Sequence, residues 1–167
     1  ETMGPTFSIA ESFWGDRLLV GGTFKYLQRG QAQFNANVTD ADRLKNMKSD
    51  ELFGTGTGTS TDLGLMLKGD NRMQPAFGVT VHNVGGTKFT AMSDTAPKPD
   101  SLRQTVDIGV AVQPGTKMSR FRLLADYLDA TNTQDVSVFK RLHFGGELSL
   151  HDVIGFTAGM AEGWSSG

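Results

Sequence analysis

Apolar and polar residues alternate with a period of two along most of this chain. That is the pattern of β-strands with one face in an apolar environment. From Thr55 the odd positions read Thr55, Thr57, Thr59, Thr61, Leu63, Leu65 and Leu67. The even positions read Gly56, Gly58, Ser60, Asp62, Gly64, Met66 and Lys68. One face passes from threonine to leucine, while the other stays small or polar. In "PAFGVTVHNVGG", Phe77, Val79 and Val81 oppose Ala76, Gly78, Thr80 and His82. In "RQTVDIGVAVQPG", Val106, Ile108, Val110 and Val112 oppose Arg103, Thr105, Asp107, Gly109, Ala111 and Gln113. "SRFRLLADYLDA" sets Phe121, Leu123, Ala125 and Tyr127 against Arg120, Arg122, Leu124 and Asp126. "SVFKRLHFGGELSL" sets Val138, Leu142, Phe144, Leu148 and Leu150 against Arg141, His143, Gly145, Glu147 and Ser149. "VIGFTAGMAEGW" sets Ile154, Phe156, Ala158 and Met160 against Gly155, Thr157, Gly159 and Ala161. Upstream, "RLLVGGTFKYLQ" and "QAQFNANV" alternate as well, and a first strand falls around Pro5 to Phe13.

Turn-forming stretches separate these runs: "KGDNRMQP", "QPGTK", "DATNTQD" and His151–Asp152. Short connections between consecutive strands imply an antiparallel meander. Two connections are longer. Residues 39–53 read as a short helix or loop insertion, with Thr39 or Asp40 as N-cap and Ala41, Leu44, Met47 and Leu52 at helical spacing. Residues 87–100 read as a longer, polar, proline-containing loop.

About nine strands of roughly 8–14 residues exceed the usual strand length of about 5–6. They match what a tilted strand needs to cross a bilayer. One face is apolar throughout. The other mixes Gly, Thr, Gln, Asn and both signs of charge, as the lumen of a barrel does. The expectation is an all-β fold, an antiparallel meander closed into a transmembrane β-barrel, as a single domain over residues 1–167. A soluble β-sandwich, whose polar face meets water, is the alternative fold.

Composition supports this picture. Glycine numbers 21 of 167 residues, well above the usual ~7%, and small residues suit a closely packed, curved sheet. The formal net charge is −2, with Lys and Arg scattered rather than clustered, so nothing points to nucleic acid. Cysteine is absent, which rules out disulfides and thiolate metal sites. No apolar run approaches the ~18 residues of a membrane-spanning helix.

Candidate chemistry is sparse. The glycines from Gly54 to Gly58 do not complete a dinucleotide fingerprint, because Thr59 and Thr61 stand where the third glycine is needed. "DADRLKNMKSDE" opens like a calcium loop, but Leu44 and Lys45 occupy the fifth and sixth positions, where a ligand and a glycine belong. Glu147, Ser149, His151 and His143 share one strand face. Neighbours two apart on a strand stand ~7 Å from each other, too far for a direct proton relay. No metal site or cofactor is expected, and no enzyme activity. The lumen-facing polar candidates are Arg103, Asp107, Arg120, Arg122, Asp126, Arg141, His143 and Glu147. They read as cross-strand charge pairs, or as a charge ladder tuning selectivity in a pore. Trp14, Tyr26, Tyr127 and Trp164 fall near strand ends, as in an interfacial aromatic girdle.

The ordered set "RLLVGGTFKYL", "TDLGLMLKG", "FGVTVHNVGGTKF", "SLRQTVDIGVAVQPG", "FRLLADYLDAT" and "RLHFGGELSLHDVIGFTAGM" resembles the bacterial outer-membrane proteins grouped around PorV and the TraF-like proteins. These are relatives of the FadL-type long-chain fatty-acid transporters. The resemblance covers residues 17–163. It implies a Gram-negative outer membrane and a fourteen-stranded barrel. It also implies a role in transport of apolar small molecules, or as a structural member of a secretion or surface complex. The implied partners are outer-membrane lipid and other protein chains of such a complex. The chain departs from that pattern by ending in "GWSSG" rather than on a strand with a terminal aromatic residue, and by its strand number. It is therefore expected to be part of a larger barrel. A soluble sandwich-type binding module and an outer-membrane lipid-modifying enzyme are the alternative functions.

Overall fold

Alternation of β-branched, aromatic and leucine side chains with small or polar ones leaves each segment one stable option, a strand pleated between two unlike environments. The computed structural model describes residues 1–32, 53–92, 98–114, 119–133, 135–150 and 153–161. Within them run ten strands: β1 (Thr2–Met3), β2 (Thr6–Phe13), β3 (Leu18–Ala32), β4 (Phe53–Lys68), β5 (Ala76–His82), β6 (Thr90–Ala91), β7 (Thr105–Val112), β8 (Ser119–Tyr127), β9 (Leu142–Leu150) and β10 (Ile154–Ala161). One helical turn, α1 (Val138–Arg141), precedes β9. No described helix is long and apolar enough to cross a membrane.

All ten strands form one antiparallel sheet in the order β1-β3-β4-β5-β7-β8-β9-β10. β2 lies beside β1 on the outer edge of β3, and β6 lies beside β5 along β4. The register keeps the two faces separate. Directly opposed residues share a face, so Leu18, Leu67, Phe77, Val110, Ala125, Phe144 and Met160 form one continuous apolar row. Val20, Leu65, Val79, Ile108 and Tyr127 form the next.

The same row reveals the stagger. It starts at the first residue of β3, yet Met160 lies six residues beyond Ile154, where β10 begins. Six strand-to-strand steps therefore carry a slip of six residues. At ~3.3 Å per residue and ~4.8 Å per strand, the strands tilt within the sheet by about 35° from the perpendicular to the line of their ends, within the range of β-barrels.

The connections sort by end. Residues 14–17, 69–75, 113–118 and 151–153 join strands at one end. Residues 33–52, 83–104 and 128–141 join them at the other. By residue count, one end thus carries the short connections and the other the long ones.

Several expectations change. The sheet is not closed into a barrel: β10 pairs with β9, while β1 and β2 pair with β3 at the opposite edge. A barrel of about eight strand positions has an interior just wide enough for side chains. Here the connection between β5 and β7 already lies against the polar face, so the sheet cannot curl that tightly. That connection, residues 87–100 in the expectation, is not simply a polar loop. It contains β6, an isolated bridge between Thr87 and Leu102, and the buried Phe89. Val138 and Arg141 sit in α1 rather than on the strand alternation of β9. The expected 39–53 insertion and the "QAQFNANV" run lie outside the described residues, apart from Gln31 and Ala32 in β3 and Phe53, which opens β4.

Candidate functional site

The described residues contain almost no conventional core. The buried apolar residues are Leu27 and Phe89. The apolar face of the sheet instead lies open, with Phe7 69%, Phe156 61% and Leu63 50% exposed. Seven strand spacings by about six residues give this face a footprint of roughly 700 Å². The largest apolar patch of an ordinary monomer is about 300–600 Å². Small residues at Ala125, Gly146 and Ala158 leave a shallow hollow of about 550 Å³ among Val110, Leu123, Phe144 and Met160.

The polar face carries the electrostatics. Strand parity points Lys25 (β3), Asp62 (β4), His82 (β5) and Asp107 (β7) to the same side of four adjacent strands. They join into one chain of contacts. Lys25 Nζ pairs with Asp62 Oδ2. His82 Nδ1 lies 3.2 Å from the same oxygen, and His82 Nε2 lies 3.1 Å from Asp107 Oδ2. The second oxygen of each carboxylate accepts a backbone N–H where a long connection begins: Asn83 N to Asp62 Oδ1 at 3.0 Å, and Asp129 N to Asp107 Oδ1 at 2.8 Å. Ser60 donates to the Asn83 side-chain oxygen at 2.8 Å. Both imidazole nitrogens thus face carboxylates. The nearest serine in the network is directed at an amide, so no nucleophile–base pair is assembled here. Among the described residues no cluster of His, Asp and Glu is arranged to hold a metal ion. The arrangement does what alternating charges at close range do: it braces β3, β4, β5 and β7 and fixes where two connections leave the sheet.

The candidates named from sequence disperse. Asp107 belongs to this brace. Arg122 and Glu147 face each other across β8 and β9 and pair at 3.2 Å, with Gln113 accepting two further bonds from the same guanidinium. Arg120 opposes Ser149 on the same side. Asp126 stands opposite both His143 and Gly109. Arg103 lies before β7 and donates to the Thr133 carbonyl at 2.9 Å. Arg141 departs from the expected row: it is 7% exposed in α1, donates to the Asp129 carbonyl at 2.8 Å and stacks 4.9 Å over the Tyr127 ring. His151 lies outside the described residues, so the Glu147–Ser149–His151 row is not assembled among them.

Lys25, Asp62 and His82 were not among the sequence candidates. Their parity was visible in the alternation; the register that aligns them on neighbouring strands was not. At the short-connection end a hollow of about 740 Å³ on the polar side is lined by Trp14, Arg17, Met66, Lys68, Gln113 and Arg122 among others.

No family profile, no curated protein and no solved structure matches this chain.

Proposed function

We propose that this chain forms wall of an outer-membrane β-barrel in a Gram-negative bacterium, with its apolar face in lipid and its polar face toward a lumen. The observation that carries this reading is the uninterrupted apolar face, shared by every long strand and covered by no second layer among the described residues. Water would penalise such a face at ~25 cal/mol per Å²; lipid would not. Three further features support it. The tilt is that of barrels. The short connections lie at one end and the long ones at the other, as in outer-membrane proteins with short periplasmic turns. From Leu18 to Tyr26 along β3, the apolar face rises ~22 Å once tilt is allowed for, close to the ~25 Å apolar band of such barrels.

Two roles fit such a wall: transport of apolar small molecules, or structural membership of a secretion or surface complex. The structural role is favoured by the lumen side, where charged braces and a folded-in connection take the place of an apolar passage.

The test is biochemical fractionation followed by gel electrophoresis with and without boiling. Recovery with the outer membrane and a heat-dependent change in mobility are expected. A soluble protein indifferent to heating would refute the reading and favour a second sheet over the apolar face.

A further inference from the structure

We propose that residues 83–92 and 98–104 form a built-in constriction, a strap folded onto the polar face that narrows the lumen at the long-connection end. The inference rests on the barrel reading above.

The two most deeply buried side chains of the described protein, Phe89 and Thr87, are both 1% exposed and both belong to this connection rather than to a long strand. The strap enters through a tight turn in which Asn83, Gly85 and Gly86 adopt left-handed backbone conformations, which glycine does at no steric cost. It then runs back along the free edge of β4. Val84 N donates to the Thr61 carbonyl at 2.8 Å, Met92 N donates to the Thr55 carbonyl at 3.0 Å, and β6 pairs with Gly56 and Thr57. Its two limbs are tied together by paired Thr87–Leu102 backbone bonds of 2.8 and 2.9 Å, and by Gly85 N donating to the Gln104 side-chain oxygen.

The returning limb crosses onto β3. Asp100 accepts from Gln31 Nε2 at 2.5 Å and donates its own N–H to Gln31 Oε1 at 2.9 Å. Arg29 donates to the Asp100 carbonyl at 3.0 Å and lies 5.7 Å over the Phe89 ring. Beneath this sits the glycine half of β4. A side chain at Gly58 would meet the Lys88 carbonyl at 2.8 Å and the Phe89 ring at 3.2 Å. One at Gly56 would meet the Thr90 carbonyl at 2.9 Å and the Pro99 ring at 3.0 Å. The alternating glycines make a track that only a bare backbone provides, and the strap fills it.

A segment tied by backbone pairing to β4, by side chains to β3 and by a bridge to itself is a fixture. It carries exposed charges at Lys88, Asp100 and Arg103, so passage beside it is limited by both size and charge.

The experiment uses the protein purified from its own membranes and reconstituted into phosphatidylcholine vesicles loaded with raffinose. Wild type is expected to be heat-modifiable, resistant to trypsin at Lys88 and slow to release the sugar. Phe89→Ala removes the anchor, and Gly58→Leu fills the track. Each is expected to free the strap backbone for trypsin cleavage after Lys88 and to accelerate release several-fold. Thr57 and Thr90 oppose each other directly. Replacing both with cysteine in either variant, and oxidising, is expected to restore slow release until a reductant is added. If heat-modifiable variants cut at Lys88 release raffinose no faster than wild type, the constriction is overturned while the barrel stands. If wild type is not heat-modifiable, the barrel reading falls and the strap's role falls with it.

Discussion

Alanine at Gly58 is the sharpest probe of how this protein is packed. The new Cβ would sit 2.8 Å from the Lys88 carbonyl oxygen, 3.2 Å from the Phe89 ring and 3.3 Å from the Thr87 methyl. The closest of these is backbone and the other two belong to the most buried residues, so no flexible side chain can yield. Relief requires the connection to lift by a few tenths of an ångström. Overpacking of this kind costs about 1–3 kcal/mol. Replacing a strand glycine by alanine returns about 0.5–1 kcal/mol, leaving a net loss of about 1–2 kcal/mol. Gly64 lies on the same strand and the same face, but its Cβ would meet only Thr80 Oγ1 at 3.9 Å. Gly64→Ala should therefore gain that 0.5–1 kcal/mol without penalty. The two variants should differ by about 2–3 kcal/mol, or roughly 1 M in urea midpoint for a slope of 2–3 kcal/mol per M. Urea unfolding of the detergent-folded protein measures this, with trypsin cleavage after Lys88 as a local readout. Both substitutions change glycine to alanine on β4, so effects on the unfolded chain cancel. Equal midpoints and equal resistance at Lys88 would refute the close-packing argument.

Three other outcomes are expected. Leu65→Arg, on the apolar face of β4, should impair membrane insertion at a cost of about 2–4 kcal/mol, whereas Thr157→Arg, on the polar face of β10, should be tolerated; the recovered heat-modifiable fraction reports both. Asp62→Ala leaves Lys25 and the Asn83 amide without their carboxylate, and His82 with Asp107 alone, and should cost about 1–3 kcal/mol in the same urea titration, because half-buried donors lose their acceptor. Asp62→Asn, which keeps an acceptor, should cost less. Arg141→Ala removes a charge-assisted bond to the Asp129 carbonyl and the stack on Tyr127; about 2–4 kcal/mol is expected, with a thermal midpoint lowered accordingly.

The alternation of side chains determined much of this by itself. A period of two leaves a strand no choice about which residues share a face, so Leu63, Leu65 and Leu67 had to point one way and Asp62 and Gly64 the other. Short turns between consecutive runs then required neighbouring strands to be antiparallel, and the meander followed. Periodicity is also where local reading misled: Val138 and Arg141 continue the alternation of β9, yet they form a helical turn that buries the guanidinium over Tyr127. Register, closure and the packing of long connections were decided only in three dimensions. They depend on contacts between residues far apart in the chain, such as Asp100 with Gln31 or His82 with Asp107, and strand pattern carries no information about those. The threonine–glycine stretch of β4 shows both levels at once. Sequence established that it is a strand with a bare face; only the fold showed that the bareness makes room for Phe89 and the backbone that carries it.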